Sequence, residues 1–222
     1  MKHPAAAPAP ARASAARPLR SPAAIAKRIV AVDPSFATVV AAAGGFAPRP
    51  PSADPFNALA RAIAFQQLAG RAASAIHGRF LALYGTAPPT PATVLATPVA
   101  SLRGCGLSGA KAAAILDLAL KFSDGTVPLE RLASMPDDEV VARLSEVRGV
   151  GRWTAEMFLL FDLRRPDVWP VDDFGVRKGW GLIHGSEVMP RPKELMALGE
   201  PLRPFRSAAA WYCWRAVDTL TP

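Results

Sequence analysis

The chain has 222 residues, half of them hydrophobic, two cysteines, three histidines and a formal net charge of +8. No apolar run approaches the ~18 residues of a membrane span, which predicts a soluble chain with no membrane partner, and two thiols are too few for a four-thiolate zinc or iron–sulfur site. The positive charge points to a polyanionic partner, yet residues 1–50 hold seven Lys or Arg against one Asp, so only +2 belongs to the rest.

Residues 1–22 are low-complexity Ala/Pro/Arg. They begin like a signal peptide but place prolines and arginines where an apolar core should be, and read as a flexible basic tail, with a transit peptide as the alternative. Residues 23–222 read as one domain, long enough to bury a core, or as two small lobes sharing one. The first clear helix starts at Asp54-Pro55, an N-cap followed by proline in the first turn. Phe56, Leu59, Ala60, Ile63 and Ala64 then mark one buried face. A second helix is expected over 72–83, stopped by Gly85 and the proline-rich GTAPPTPAT. Cys105, a reduced and partly buried thiol by this reading, lies between Gly104 and Gly106, after which 110–122 is helical. Pro136-Asp137-Asp138 opens another helix through 144, and a further one runs to about 163.

The connector RRPDVWPVDD leads to helices expected over 174–183, 192–198 and 207–217, the last containing Cys213. Alternating apolar and polar segments long enough for a sheet are missing, so the fold class expected is all-α. His3, His77 and His184 are far apart and match no metal-ligand spacing.

Between two of these helices stands RGVGRW, residues 148–153. Glycines there supply backbone angles a side chain would forbid, and they leave bare N–H groups at the start of the next helix, where anions and above all phosphates bind. An ordinary αα-hairpin capped by glycines is the alternative. Twenty residues on, Asp172 and Asp173 stand side by side. Either can cap the helix that follows, and adjacent residues point in different directions, so one of them at most faces a given ligand.

The longer string LSEVRGVGRWTAEMF closely resembles the helix-hairpin-helix of the DNA glycosylase superfamily, and the likeness continues into WPVDDFGVRKG. FNALARAIAFQQLAGRAASAI, LRGCGLSGAKAAAILDLA and PFRSAAAWYCWR resemble that family's early, central and last helical segments, in the same order. Residues ~55–217 are covered, and the branch most resembled is the 3-methyladenine DNA glycosylase II type, in a short form without its N-terminal β domain. The resemblance implies two helical lobes with the active-site cleft between them, one of about 55–165 and one of about 23–54 plus 166–222.

It also implies a monofunctional glycosylase of base excision repair that hydrolyses the N-glycosidic bond of alkylated purines flipped out of duplex DNA. By this likeness the catalytic carboxylate is Asp173, because Val176 follows it at the family's spacing, and Trp153 stands where bifunctional relatives carry a nucleophilic lysine. A tryptophan cannot attack the sugar. It can offer its face to a cationic methylated purine, at roughly 0.5–2 kcal/mol. Met157, Phe174 and Trp211 are the other candidates for the base pocket. Met157 and Phe174 replace the family's frequent tyrosines, and core packing is an equal possibility for both.

A wedge that fills the hole left by the flipped base comes from Gln67 or Leu68. DNA backbone contacts fall to Gly149, Gly151, Arg148 and Arg152. Ser108 and Lys111 match a second phosphate contact, a helix cap with a solvated lysine being the alternative. The family hairpin commonly holds a monovalent cation, sodium or potassium, through main-chain carbonyls that match Ser145, Val147 and Val150. No cofactor is required, no iron–sulfur cluster is expected, and the implied state is a cytoplasmic monomer acting on damaged double-stranded DNA, nucleoid-associated in a bacterium. The competing readings are a non-catalytic helix-hairpin-helix DNA-binding module and a glycosylase for another base such as ethenoadenine or hypoxanthine.

Overall fold

The computed structural model describes residues 21–220 apart from 49 and 69, so nearly all of the basic tail lies outside the described residues. Ser21 and Pro22, assigned above to that tail, instead open the first helix: the Ser21 hydroxyl accepts the Ala24 N–H at 3.3 Å, and proline sits in the first turn where its missing donor costs nothing. This helix, α1 (Pro22–Val32), buries Ile25, Ala26 and Ile29 and is followed by α2 (Ala37–Ala43). Neither was expected from periodicity, because the apolar repeat is weak in both: α1 buries only Ile25, Ala26 and Ile29, and the seven-residue α2 buries only Val39.

The next seven helices are α3 (Pro55–Phe65), α4 (Gly70–Ala82), α5 (Pro91–Leu95), α6 (Val99–Gly104), α7 (Gly109–Ser123), α8 (Asp137–Ser145) and α9 (Arg152–Phe161). Asp54 caps α3 as its sequence demands, its carboxylate accepting the Asn57 N–H at 3.1 Å. The short α5 begins inside the stretch expected to be irregular, because Thr90 and Thr93 form a reciprocal capping box around Pro91. The last three are α10 (Phe174–Ile183), α11 (Pro192–Leu198) and α12 (Arg206–Thr219). Among the described residues there is no strand, and no helix is long and apolar enough to cross a membrane.

The helices sort into two groups. In one, α7 lies against α3, α5 and α6, while α8 and α9 form the hairpin and α9 leans on α3; in the other, α10 and α12 form the tightest pair, with α1 and α2 against α12. The connector joins α9 of one group to α10 of the other, and Trp153 in the first turn of α9 is hydrogen-bonded to Asp173, the N-cap of α10. Two glycines one turn apart explain how closely α10 and α12 approach. A Cβ at Gly179 would lie 1.9 Å from the Cys213 carbonyl oxygen, and one at Gly175 would lie 2.7 Å from Cδ1 of Trp214. The backbone contact at Gly179 brings the N-terminus of α10 beside the middle of α12, where the candidate site forms.

Candidate active site

Of the two adjacent aspartates, Asp172 is exposed and Asp173 is 8% exposed. Asp173 is the N-cap of α10, and its Oδ1 accepts the Val176 N–H at 2.8 Å. The capping role and the buried position therefore belong to the same residue. Two indoles complete its surroundings: Trp214 Nε1–H donates to Oδ1 at 2.8 Å from α12, and Trp153 Nε1–H donates to Oδ2 at 2.7 Å from the first turn of α9. A carboxylate offers about four lone-pair sites. Here three are occupied by N–H donors and the remaining one is on Oδ2; of the flanking aromatics, Trp153 is 46% exposed and Phe174 is 63% exposed.

Trp153 thus does two things. Its N–H orients Asp173 while much of its ring remains open, as a residue that must meet a ligand requires. Phe174 is the most open aromatic at this mouth, and Met157, one turn along α9 from Trp153, is half-buried. Trp211 packs edge-on against Phe46 at 5.7 Å and Tyr212 at 5.0 Å, with the Arg215 guanidinium 5.5 Å from its ring centre. The aromatic of α12 bonded to Asp173 is Trp214, which also stacks on Phe161 at 5.6 Å. From the sequence, Trp211, Tyr212 and Trp214 could each close the pocket from the last helix, lobe packing being the commoner role for aromatics there. The signal for Trp214 was the GVRKG pair of glycines, which announces a close helix crossing beside the aspartate.

Beneath this site the Cys213 thiol is pushed up, by full burial first and then by the charges of Asp173 and Asp33, and stays protonated. Glu156, on another face of α9, is buried with its carboxylate 2.8 Å from Arg152 Nε. Burial raises its pKa, an effect opposed by Arg152 and reinforced by Asp172 and Asp173.

The hairpin combines a left-handed glycine with a helix start that has no side-chain cap. Gly149 adopts φ +75°, which a side chain would oppose, and Gly151 begins α9 with no side-chain cap. The Arg148 N–H is taken by the Asp117 carboxylate at 2.7 Å and the Val150 N–H by the Val147 carbonyl at 3.0 Å. Among the described residues, the Gly149 and Gly151 amides have no internal acceptor. Arg148 and Arg152 are exposed beside them, Arg152 with its Nε held by Glu156. The carbonyls expected to suit a cation are also open in part: that of Val147 keeps one lone pair, and those of Ser145 and Val150 receive no backbone hydrogen bond among the described residues.

The turn after α3 carries Gln67 at φ +54°, a left-handed conformation uncommon for glutamine, and Leu68 at 40% exposure. Gln66 does not point outward. Its Nε2 donates to the Gly149 carbonyl at 2.9 Å and to Thr154 Oγ1 at 3.4 Å, tying the turn to the hairpin. Lys111, expected at a phosphate, instead turns inward and donates from Nζ to the carbonyls of Ala64 at 2.9 Å and Gln66 at 2.6 Å. The physical reason lies at the end of α3, whose last carbonyls lack intrahelical donors and carry the negative end of the helix dipole. Ser108 caps α7, its Oγ accepting the Lys111 N–H at 3.3 Å.

Comparison with known proteins places this geometry. The profile of the HhH-GPD superfamily base excision DNA repair proteins matches residues 60–204. DNA-3-methyladenine glycosylase 1 of Schizosaccharomyces pombe is 36% identical over 164 residues, 73% of this chain and 72% of that protein. Among solved structures, the 3-methyladenine DNA glycosylase of Schizosaccharomyces pombe in complex with abasic DNA superposes with a TM-score of 0.79 at 32% identity, covering 86% of this chain and 95% of that one. A DNA-3-methyladenine glycosidase from Bacillus halodurans superposes with a TM-score of 0.80, also at 32% identity, covering 88% and 90% of the two chains.

Proposed function

This chain belongs to the HhH-GPD superfamily of base excision DNA repair proteins, and on that footing we propose that it is a DNA-3-methyladenine glycosylase that hydrolyses the N-glycosidic bond of alkylated purines flipped out of duplex DNA. The observation that carries the reading is Asp173: a buried carboxylate fixed by three N–H donors, with one Oδ2 lone pair left open beside two exposed aromatic rings.

Alkylation at N3 or N7 makes the purine cationic. The open face of Trp153, with Phe174 beside it, stabilises that cation, and the gain is larger once water is excluded. As the bond between the sugar C1′ and the base nitrogen breaks, its electron pair leaves with the base, which departs neutral, and positive charge moves to the sugar. Asp173, already oriented, stabilises that charge with little reorganisation. The open lone pair on Oδ2 then accepts a proton from the water that attacks C1′. Free base and an abasic site result. With tryptophan at 153 the chain has no amine there to form a covalent adduct, so strand cleavage is not part of the reaction.

Phosphates are held by the Gly149 and Gly151 amides with Arg148 and Arg152 nearby, and Gln67 or Leu68 fills the hole in the duplex. Ser145, Val147 and Val150 would hold a monovalent cation through their carbonyls, whose hard neutral oxygens suit one, and its charge would strengthen the grip on phosphate.

The test is base release from duplexes that each contain one alkylated purine, with alkali added after incubation. Wild type is expected to release methylated adenine and leave abasic sites that stay intact until alkali; Asp173→Asn is expected to lose at least 100-fold in rate while still binding DNA, on the order expected for losing a charge aimed at a transition state. Equal DNA binding by both proteins with no base released by either would leave a DNA-binding module. A covalent adduct trapped by borohydride would overturn the hydrolytic route.

A further inference from the structure

We propose that Lys111 and Gln66 are positioning residues that hold the wedge turn extended before DNA arrives, so that the hairpin's grip on phosphate and the insertion of the wedge move as one body. This rests on the glycosylase reading above, in which the turn after α3 enters the duplex. Three observations meet at one peptide unit. The Gln66 carbonyl, directly before Gln67, accepts the Lys111 ammonium at 2.6 Å. The Gln66 side chain reaches the other way, to the Gly149 carbonyl at 2.9 Å and the Thr154 hydroxyl at 3.4 Å. Gln67 itself sits at φ +54°.

A non-glycine residue in that conformation persists only where its surroundings over-determine it. Here two flanking structures do so. α7 sends the lysine, whose backbone is fixed by the Ser108 cap, and the hairpin receives the glutamine. Ala64, the second acceptor of Lys111, ties the same ammonium to the last turn of α3, so the wedge turn cannot pivot freely about the helix end. Charge-assisted bonds of this kind are among the stronger ones available to a partly buried turn. A lysine spent this way is not available to a phosphate, and the two roles predict opposite salt behaviour. Each phosphate contact contributes a slope of about −0.9 to log K against log salt, and an internal anchor contributes none.

The experiment compares wild type with Lys111→Met, Lys111→Arg and Gln66→Leu on a duplex carrying a tetrahydrofuran abasic analogue beside 2-aminopurine, whose fluorescence rises when it is unstacked. Saturating Lys111→Met and Gln66→Leu should each lose at least half of the wild-type fluorescence gain, while Lys111→Arg keeps most of it. The salt slope of binding should be unchanged in all three. On alkylated duplex, kcat should fall about tenfold for Lys111→Met and Gln66→Leu, with KM within about twofold.

A salt slope lowered by about 0.9 in Lys111→Met would make Lys111 a phosphate contact and overturn the proposal. So would a full fluorescence gain in Gln66→Leu, the uncharged variant that carries the test if Lys111→Met does not fold. Because fluorescence and salt slope need no catalysis, wild type that shows the Lys111-dependent signal but releases no base would sink the glycosylase reading and leave this inference standing.

Discussion

Gly179→Ala tests whether the site depends on the close crossing of α10 and α12. A Cβ at 179 would lie 1.9 Å from the Cys213 carbonyl oxygen and 2.4 Å from its carbon, both backbone atoms that cannot rotate away. Restoring even a tight contact of about 3.0 Å requires the helices to part by roughly 1.1 Å. Trp214 follows Cys213 directly and Asp173 caps α10, so the same displacement would stretch their 2.8 Å hydrogen bond to roughly 3.9 Å, beyond any useful bond. Overpacking of this kind costs about 1–3 kcal/mol of stability, or roughly 2–12 °C in Tm for a chain of this size. The larger effect should be on rate: a carboxylate misplaced by about 1 Å can lose on the order of 100-fold. Gly175→Ala is the companion variant. Its Cβ would meet only side chains, Trp214 Cδ1 at 2.7 Å and Asp173 Oδ1 at 3.1 Å. It should therefore cost less stability and still lower kcat. Thermal unfolding and single-turnover base release, measured on the same preparations at a temperature where each variant is folded, separate the two effects. Gly179→Ala with the Tm and kcat of wild type would refute the crossing as the device that sets Asp173.

Trp153→Phe keeps the aromatic face and removes the N–H on Asp173 Oδ2, so kcat should fall about tenfold, toward the low end of the 1.5–3 kcal/mol of a charged hydrogen bond because the ring is half-exposed. Trp153→Ala should add a rise in KM for cationic bases, and single-turnover kinetics in which the two variants behave alike would show that the ring face contributes nothing. Glu156 supplies a pH test. Its pKa is raised in the folded protein, chiefly by burial, so its contribution to stability is complete below the ordinary glutamate value near 4.5 and is lost as pH rises through the folded value. Glu156→Gln should therefore raise Tm at pH 7 and leave it nearly unchanged at pH 4. The opposite ordering would mean that the Arg152 pair outweighs the burial cost.

How much of this the sequence disclosed depended on whether a residue's role is local. The hairpin glycines, the Asp54 cap and the buried face of α3 are legible because each follows from spacing within one segment, whereas the preference for Asp173 over Asp172 came from family resemblance, and the structure buries Asp173 and leaves Asp172 exposed. The α10–α12 crossing was half legible: Gly175 and Gly179 stand one turn apart on a single helix, a pattern that signals a close neighbour without saying which. Lys111 was misread for the complementary reason. At three residues beyond Ser108 it has the look of a solvated lysine in a first helical turn, and only the arrival of the α3 C-terminus, 45 residues earlier in the chain, gives its ammonium something better than water to bind. The same long-range contact explains why Gln67 can hold a left-handed backbone with no glycine to ease it. Conformations that local propensity disfavours collect where several elements meet, and here three meet at one peptide. The feature least readable from the sequence is thus the one that couples the turn after α3 to the hairpin, because coupling between segments is by nature absent from any one of them.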